Sequence, residues 1–131
     1  MTATNGSPVQ ALRIWDEGEM TLIVGGIEGA AVWLCADSAI TDPALPLRIR
    51  KYQPKVEALD EFGLLGFAGP VDLGVAAISE ASTHAPGRPT IELLQRINIE
   101  NSRVEFLYGY LVDNEPQLAR IANGEVEHSA T

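Results

Sequence analysis

The apolar positions of this chain change rhythm along its length, and each change marks an element. In residues 20–38, MTLIVGGIEGAAVWLCADS, two apolar runs flank Glu28-Gly29, the pattern of a half-buried hairpin with its turn at the glycine. Residues 55–60 (KVEALD) and 62–69 (FGLLGFAG) alternate or run apolar around Glu61 and predict a second hairpin. The period then lengthens. Val71, Val75 and Ile78 recur at helical spacing in PVDLGVAAISEAS, behind Pro70, which suits a helix start. After the linker THAPGRP, Thr90 is the expected N-cap of a second helix, IELLQRINIEN, with Glu92 near the positive end of its dipole. VEFLYGYLV then alternates as a strand, DNEP turns, QLARIA returns, and Asn123-Gly124 marks one more hairpin turn.

Two stretches lack such a pattern. Residues 38–54 carry prolines at 43, 46 and 54 and read as an irregular loop. Residues 1–19 open small and polar and hold one apolar patch, VQALRIW. Strands, two helices, then strands point to an α+β domain, and 131 residues suffice for one.

Charge narrows the partners. Eighteen acids stand against nine bases, a net charge of −9, which argues against nucleic acid or an anionic membrane surface. No apolar run is long enough to span a bilayer, and no basic segment followed by an apolar core marks a secretory signal. Cys35 is the only cysteine, so no intrachain disulfide or cysteine-based metal site can form, and a cytoplasmic setting is expected. Within VWLCAD the thiol is expected to be a small buried hydrophobe. Arg48, Arg50, Lys51 and Lys55 make one basic island that holds both lysines of the chain; the first three read as a solvated loop. His84 and His128 have no paired spacing, and no metal or cofactor is expected.

Three motifs in order carry a resemblance. Thr21 opens TLIVGGI, and the return strand closes in Ala36-Asp37-Ser38, sixteen positions from Thr21 to Asp37. Lys55 then leads to FAGPVD, with Gly69 fourteen positions on. In letters and spacing this is similar to the N-terminal nucleophile (Ntn) hydrolases of the proteasome β-subunit type, a threonine peptidase family. The likeness covers residues 20–127, and most closely 20–70. It implies an αββα sandwich of antiparallel sheets in residues 20–131, ending after the second pair of sheet strands, where members of the family continue. Residues 1–19 are then a leader, a propeptide or a misplaced start, since Met20-Thr21 would expose Thr21 once the methionine was clipped. The resemblance further implies a peptide or amide substrate and a homo-oligomer.

It also assigns roles. Thr21 would be the nucleophile, Lys55 the cation beside its amine, Asp37 the anion aiming that lysine, and Gly69 an oxyanion-hole N–H. The chemistry is consistent with the residue types. A threonine hydroxyl needs a base, and a free α-amine, with a pKa of about 8, is neutral often enough to serve. A nearby cation lowers that pKa further, and a backbone N–H can hold the tetrahedral oxyanion. Taken singly, each residue has a plainer reading: Thr21 as a strand former, Asp37 as a turn residue, Lys55 as a surface charge. Two other functions stand beside the hydrolase: a catalytically inactive structural or regulatory subunit of the same fold, and an unrelated α+β interaction domain.

Overall fold

The computed structural model describes residues 9–16, 19–36, 39–41, 49–52, 55–60 and 63–128, with side chains for 23–36, 55–60 and 63–128. Among the described residues, ten strands and two helices run in the order β1 (Val9–Asp16), β2 (Glu19–Glu28), β3 (Ala31–Ala36), β4 (Ala39–Thr41), β5 (Ile49–Tyr52), β6 (Val56–Asp60), β7 (Gly63–Ala68), α1 (Val71–Ala81), α2 (Arg88–Glu100), β8 (Glu105–Val112), β9 (Glu115–Ala122) and β10 (Glu125–His128). The fold is α+β. Two antiparallel sheets, β1-β2-β3 and β10-β9-β8-β7-β6, are joined by a short β4-β5 ribbon.

The five-stranded sheet sits between the other two layers. Leu65, Phe67, Phe106, Tyr108 and Ile121 bury one of its faces under Ile78, Ile91, Leu93 and Leu94 of the helices. On the opposite face Ala68 and Leu107 meet Ile23 of β2, with Leu34, Ala36 and Val56 packed around them. Alternation along each strand therefore sends every second residue to a different core. This makes a sandwich of helices, sheet and sheet. No helix among the described residues covers the outer face of β1-β2-β3.

Both hairpins and both helices fall where the hydrophobic pattern puts them, with local differences. Residues 9–16, which hold the apolar patch VQALRIW, form β1 and pair along β2 from Val9↔Gly26 to Asp16↔Glu19. Two short strands, β4 and β5, lie in the proline-bearing stretch, because Ala39–Thr41 and Ile49–Tyr52 are free of proline. Thr90 is not the N-cap of α2: the helix begins at Arg88, Gly87 caps it at φ 88°, and Pro89 lies in its first turn. Proline pre-set for helical φ, behind a glycine able to take a positive φ, starts the helix earlier than a threonine cap would. Thr90 is buried instead, its Oγ1 donating to the Ala85 carbonyl at 2.9 Å. Asp113 and Asn114 both adopt positive φ (52° and 66°), the mark of a tight hairpin turn, and Asn123-Gly124 repeats it at 57° and 76°.

One buried polar side chain ties helix to sheet. Asn98 of α2 is fully buried; its Nδ2 donates to the Val104 carbonyl at 2.7 Å, and its Oδ1 accepts from the Gly124 N–H at 2.6 Å. It thereby satisfies the chain entering β8 and the β9-β10 turn together. Replacing it by alanine orphans both backbone groups. Asn98→Ala is expected to cost about 3 kcal/mol, since each stranded group carries a penalty of about 1–3 kcal/mol. Urea unfolding should show a lower midpoint with an unchanged slope; a loss under about 0.5 kcal/mol would contradict this account.

Candidate functional site

The candidate site starts at the end of β7. Gly69 follows the strand with φ 124°, and a Cβ there would run into the Arg103 carbonyl. Both the backbone angle and the neighbour demand glycine. Two residues earlier, the Phe67 N–H donates to the Lys55 carbonyl at 3.0 Å, so Lys55, immediately before β6, lies beside the end of β7. Lys55 is 6% exposed, unusual for a lysine.

Gly66 brings the second sheet down onto this corner. A Cβ at Gly66 would lie 3.3 Å from Ile23 Cγ2 and 3.4 Å from the Lys55 carbonyl oxygen. The missing side chain lets β2 pack close over β6 and β7. Ile23 is fully buried there, and Thr21 stands two positions before it on the same strand. The backbone of Thr21 is paired with Ile14 of β1, and that of Met20 with Trp15. Its nitrogen is thus a peptide amide inside a hairpin.

The four expected site residues therefore fare differently. Lys55 and Gly69 lie at neighbouring strand ends, and β2, carrying Thr21, crosses that corner two residues along. Asp37 directly follows β3, whose last residue pairs as Ile23↔Ala36, but it lies outside the described residues. Of the basic island, Arg48 also lies outside them, while Arg50 and Lys51 fall in β5. The histidines make ordinary contacts: His84 Nδ1 is 3.1 Å from the Glu80 carbonyl, and His128 Nε2 is 3.3 Å from the Tyr110 hydroxyl. Cys35 is exposed, not buried. It sits on β3 at an outward position between half-buried Leu34 and Ala36, so an apolar run on an outer strand kept it from the core.

One residue near this corner escaped the motif reading. Glu105 pairs with Ala68, next to Gly69, and alternates with fully buried Leu107 on the side of β8 that meets β2. Burial raises its carboxyl above the usual range, and the Arg120 guanidinium pulls it part of the way back. The signal was an acid at an inward position of a strand otherwise buried on both faces. Arg120 also pairs with Glu127 at 3.5 Å, and its Nε, buried, has no hydrogen-bond partner.

Comparison with known proteins limits what these likenesses mean. Neither a family profile nor any curated protein sequence matches the chain. In structure the chain is similar to a (Gly-1) mutant of Anbu from Hyphomicrobium sp. strain MC1. The TM-score is 0.52 and the identity 17%, over 83% of this chain and 51% of that one. The chain spans about half the length of that neighbour. At that identity the likeness shows a shared fold. Membership of the proteasome β-subunit family, which the motifs suggested, does not stand. No profile of any family matches, and a structural likeness at this identity carries the fold alone. No helix among the described residues is long and apolar enough to cross a membrane.

The raised Glu105 carboxyl has a pH consequence. A group whose folded pKa lies above its unfolded one favours the fold most below the unfolded value, and that advantage is lost as pH rises through the folded pKa. Relative to Glu105→Gln, the native chain should therefore gain stability as pH falls through the carboxylate range and lose that gain towards neutrality. Urea unfolding of both proteins at acid and neutral pH checks the sign. A stability difference constant with pH would show that burial does not perturb this carboxyl.

Proposed function

We propose that this chain is a hydrolase of amide or peptide bonds that uses Thr21 as an N-terminal nucleophile once residues 1–20 are removed. The reading takes the fold as an Ntn-type αββα sandwich of which the described residues form one helical layer and two sheets. What supports it most is the corner built by Gly66, where β2 crosses over the neighbouring ends that carry Lys55 and Gly69. The fold likeness to Anbu is consistent with it.

In this mechanism the freed Thr21 amine takes the proton of its own hydroxyl. Lys55 keeps the amine neutral by disfavouring a second positive charge, and Asp37 holds the lysine ionised. The Thr21 oxygen attacks the carbonyl carbon, and the Gly69 N–H stabilises the oxyanion. The amine leaving group departs with a proton, leaving an ester on Thr21. Water, activated by the same amine, hydrolyses the ester and restores the hydroxyl.

A second reading, a catalytically inactive subunit, is favoured by one observation: Thr21 lies within a paired hairpin, opposite Ile14. While β1 is attached the nitrogen is an amide and cannot act as base, whatever surrounds it. Chains beginning at Met1 and at Met20 separate the two readings. The Met20 chain should lose its methionine, show Thr21 as its first residue by intact mass, and form a covalent adduct with a peptide epoxyketone. The Met1 chain should not react. Lys55→Met in the Met20 chain should slow adduct formation about 100-fold or more, the usual weight of a proton-transfer group. A folded chain with a free Thr21 amine that resists the probe would make the inactive subunit the better reading.

A further inference from the structure

The hairpin of β1 and β2 holds the bond that the proposed hydrolase must cut. Its eight register pairs run from Val9↔Gly26 to Asp16↔Glu19, with Thr21 opposite Ile14. The bond from Met20 to Thr21 therefore lies inside the ladder, not in the link between the strands. Cutting it takes only Trp15↔Met20 and Asp16↔Glu19 away from β2. Six pairs, Val9↔Gly26 to Ile14↔Thr21, still join one side of the cut to the other.

Further features tie β1 to the body of the protein. It lies against β7 and β8 of the five-stranded sheet as well as along β2. Leu12 is the register partner of Ile23, which is fully buried against that sheet, so both positions share the inward face. The stretch that keeps its pairs, VQALRI, has no proline to interrupt a ladder. Its one charge, Arg13, is opposite in sign to the chain's net −9. β3 takes one edge of β2 and β1 the other, so losing β1 would strip residues 21–26 of every partner on that side. Backbone N–H and C=O groups left in this way favour the strand that already fits them.

We propose that residues 1–20, once severed, stay on the protein as a noncovalent strand, and that the edge of β2 along residues 21–26 is their binding site. The partner is this chain's own N-terminal segment, held by main-chain pairing with an added inward face. The cut itself rests on the hydrolase reading; retention needs only the contacts of β1. The matured protein is then two chains, 1–20 and 21–131, with the freed Thr21 amine opposite Ile14 of the retained strand.

The test opens the full-length chain after it has folded. Glu17→Ile, Gly18→Glu, Glu19→Gly and Met20→Arg together set a factor Xa site directly before Thr21. Native mass spectrometry of the cut protein should show one species, at the mass of the uncut chain plus one water. Leu12→Pro added to the same chain removes a ladder N–H and should release the small piece on cutting. A segment that separates on gel filtration without the proline overturns the proposal, and so does one that stays despite it. Should the chain misfold or resist the protease, hydrogen exchange on the native protein decides. The amides of residues 9–14 that point to β2 should be as protected as those of β2; fast exchange there rejects a strand held by its own contacts. Retention is read by mass and Thr21 chemistry by the epoxyketone adduct, so the two proposals fail separately. A released segment leaves the hydrolase reading untouched, and an unreactive Thr21 leaves the retained strand in place.

Discussion

The fold depends on β7 being buried on both faces. Its large residues, Leu65 and Phe67, point to the helices, and its small ones, Gly66 and Ala68, point to the three-stranded sheet. Size alternation of this kind builds a thick core on one side and a close contact on the other. The thin side is what lets Ile23 settle within reach of the Lys55 carbonyl. The thick side fixes where α1 can lie. A Cβ at Gly74 would run into the Phe67 ring, so helix and ring meet without a side chain between them.

From β7 the constraint passes to β8 and from there to the second helix. Tyr108 is fully buried, stacks on Tyr110 with ring centroids 4.7 Å apart, and accepts a hydrogen bond from the Gly87 N–H at 2.9 Å. That bond holds the glycine which caps α2, so a sheet residue sets where the helix begins. Asn98 closes the other end of the same helix onto Val104 and Gly124. Burial pushes the Tyr108 hydroxyl above the usual phenol range, and the Gly87 N–H offsets part of that. The shift favours the neutral hydroxyl, whose oxygen accepts the Gly87 N–H.

What the sequence made legible follows from how local each signal is. The hairpin turns were readable because Asp113-Asn114 and Asn123-Gly124 carry their own backbone preference. The paired strands were readable because their apolar period is short. The start of α2 was misplaced because its cap depends on Tyr108, twenty-one positions away, and no local pattern reports such a contact. Cys35 was misassigned for a related reason: burial of an apolar run depends on whether another layer covers it. β1 was missed because VQALRIW gains its strand partner only from β2. The candidate site divides in the same way. Gly69 was legible as a motif glycine, and its positive φ and the Arg103 carbonyl supply the physical reason. Glu105 was not, because its setting comes from register with Ala68 across the two intervening helices.

The inward packing of β2 just beyond Thr21 rests on contacts that do not involve β1. Ile23, two residues along, is held by Gly66, Ala68 and Leu107, and Gly25 lies against Leu107 and Leu118, where a Cβ would meet their methyl groups at 3.4 and 3.3 Å. On its other side β2 is laddered to β3 from Ile23 onward. These contacts lie within residues 23–118 and survive any cut before Thr21. The β1 ladder adds pairing from Glu19 to Gly26, but the inward packing of β2 is made by its own residues. A chain opened at Thr21 would accordingly keep β2 seated over the Lys55–Gly69 corner while converting one amide into an amine. The hairpin and the proposed chemistry are thus compatible through a single covalent change, and the geometry that would serve catalysis is already supplied by the five-stranded sheet.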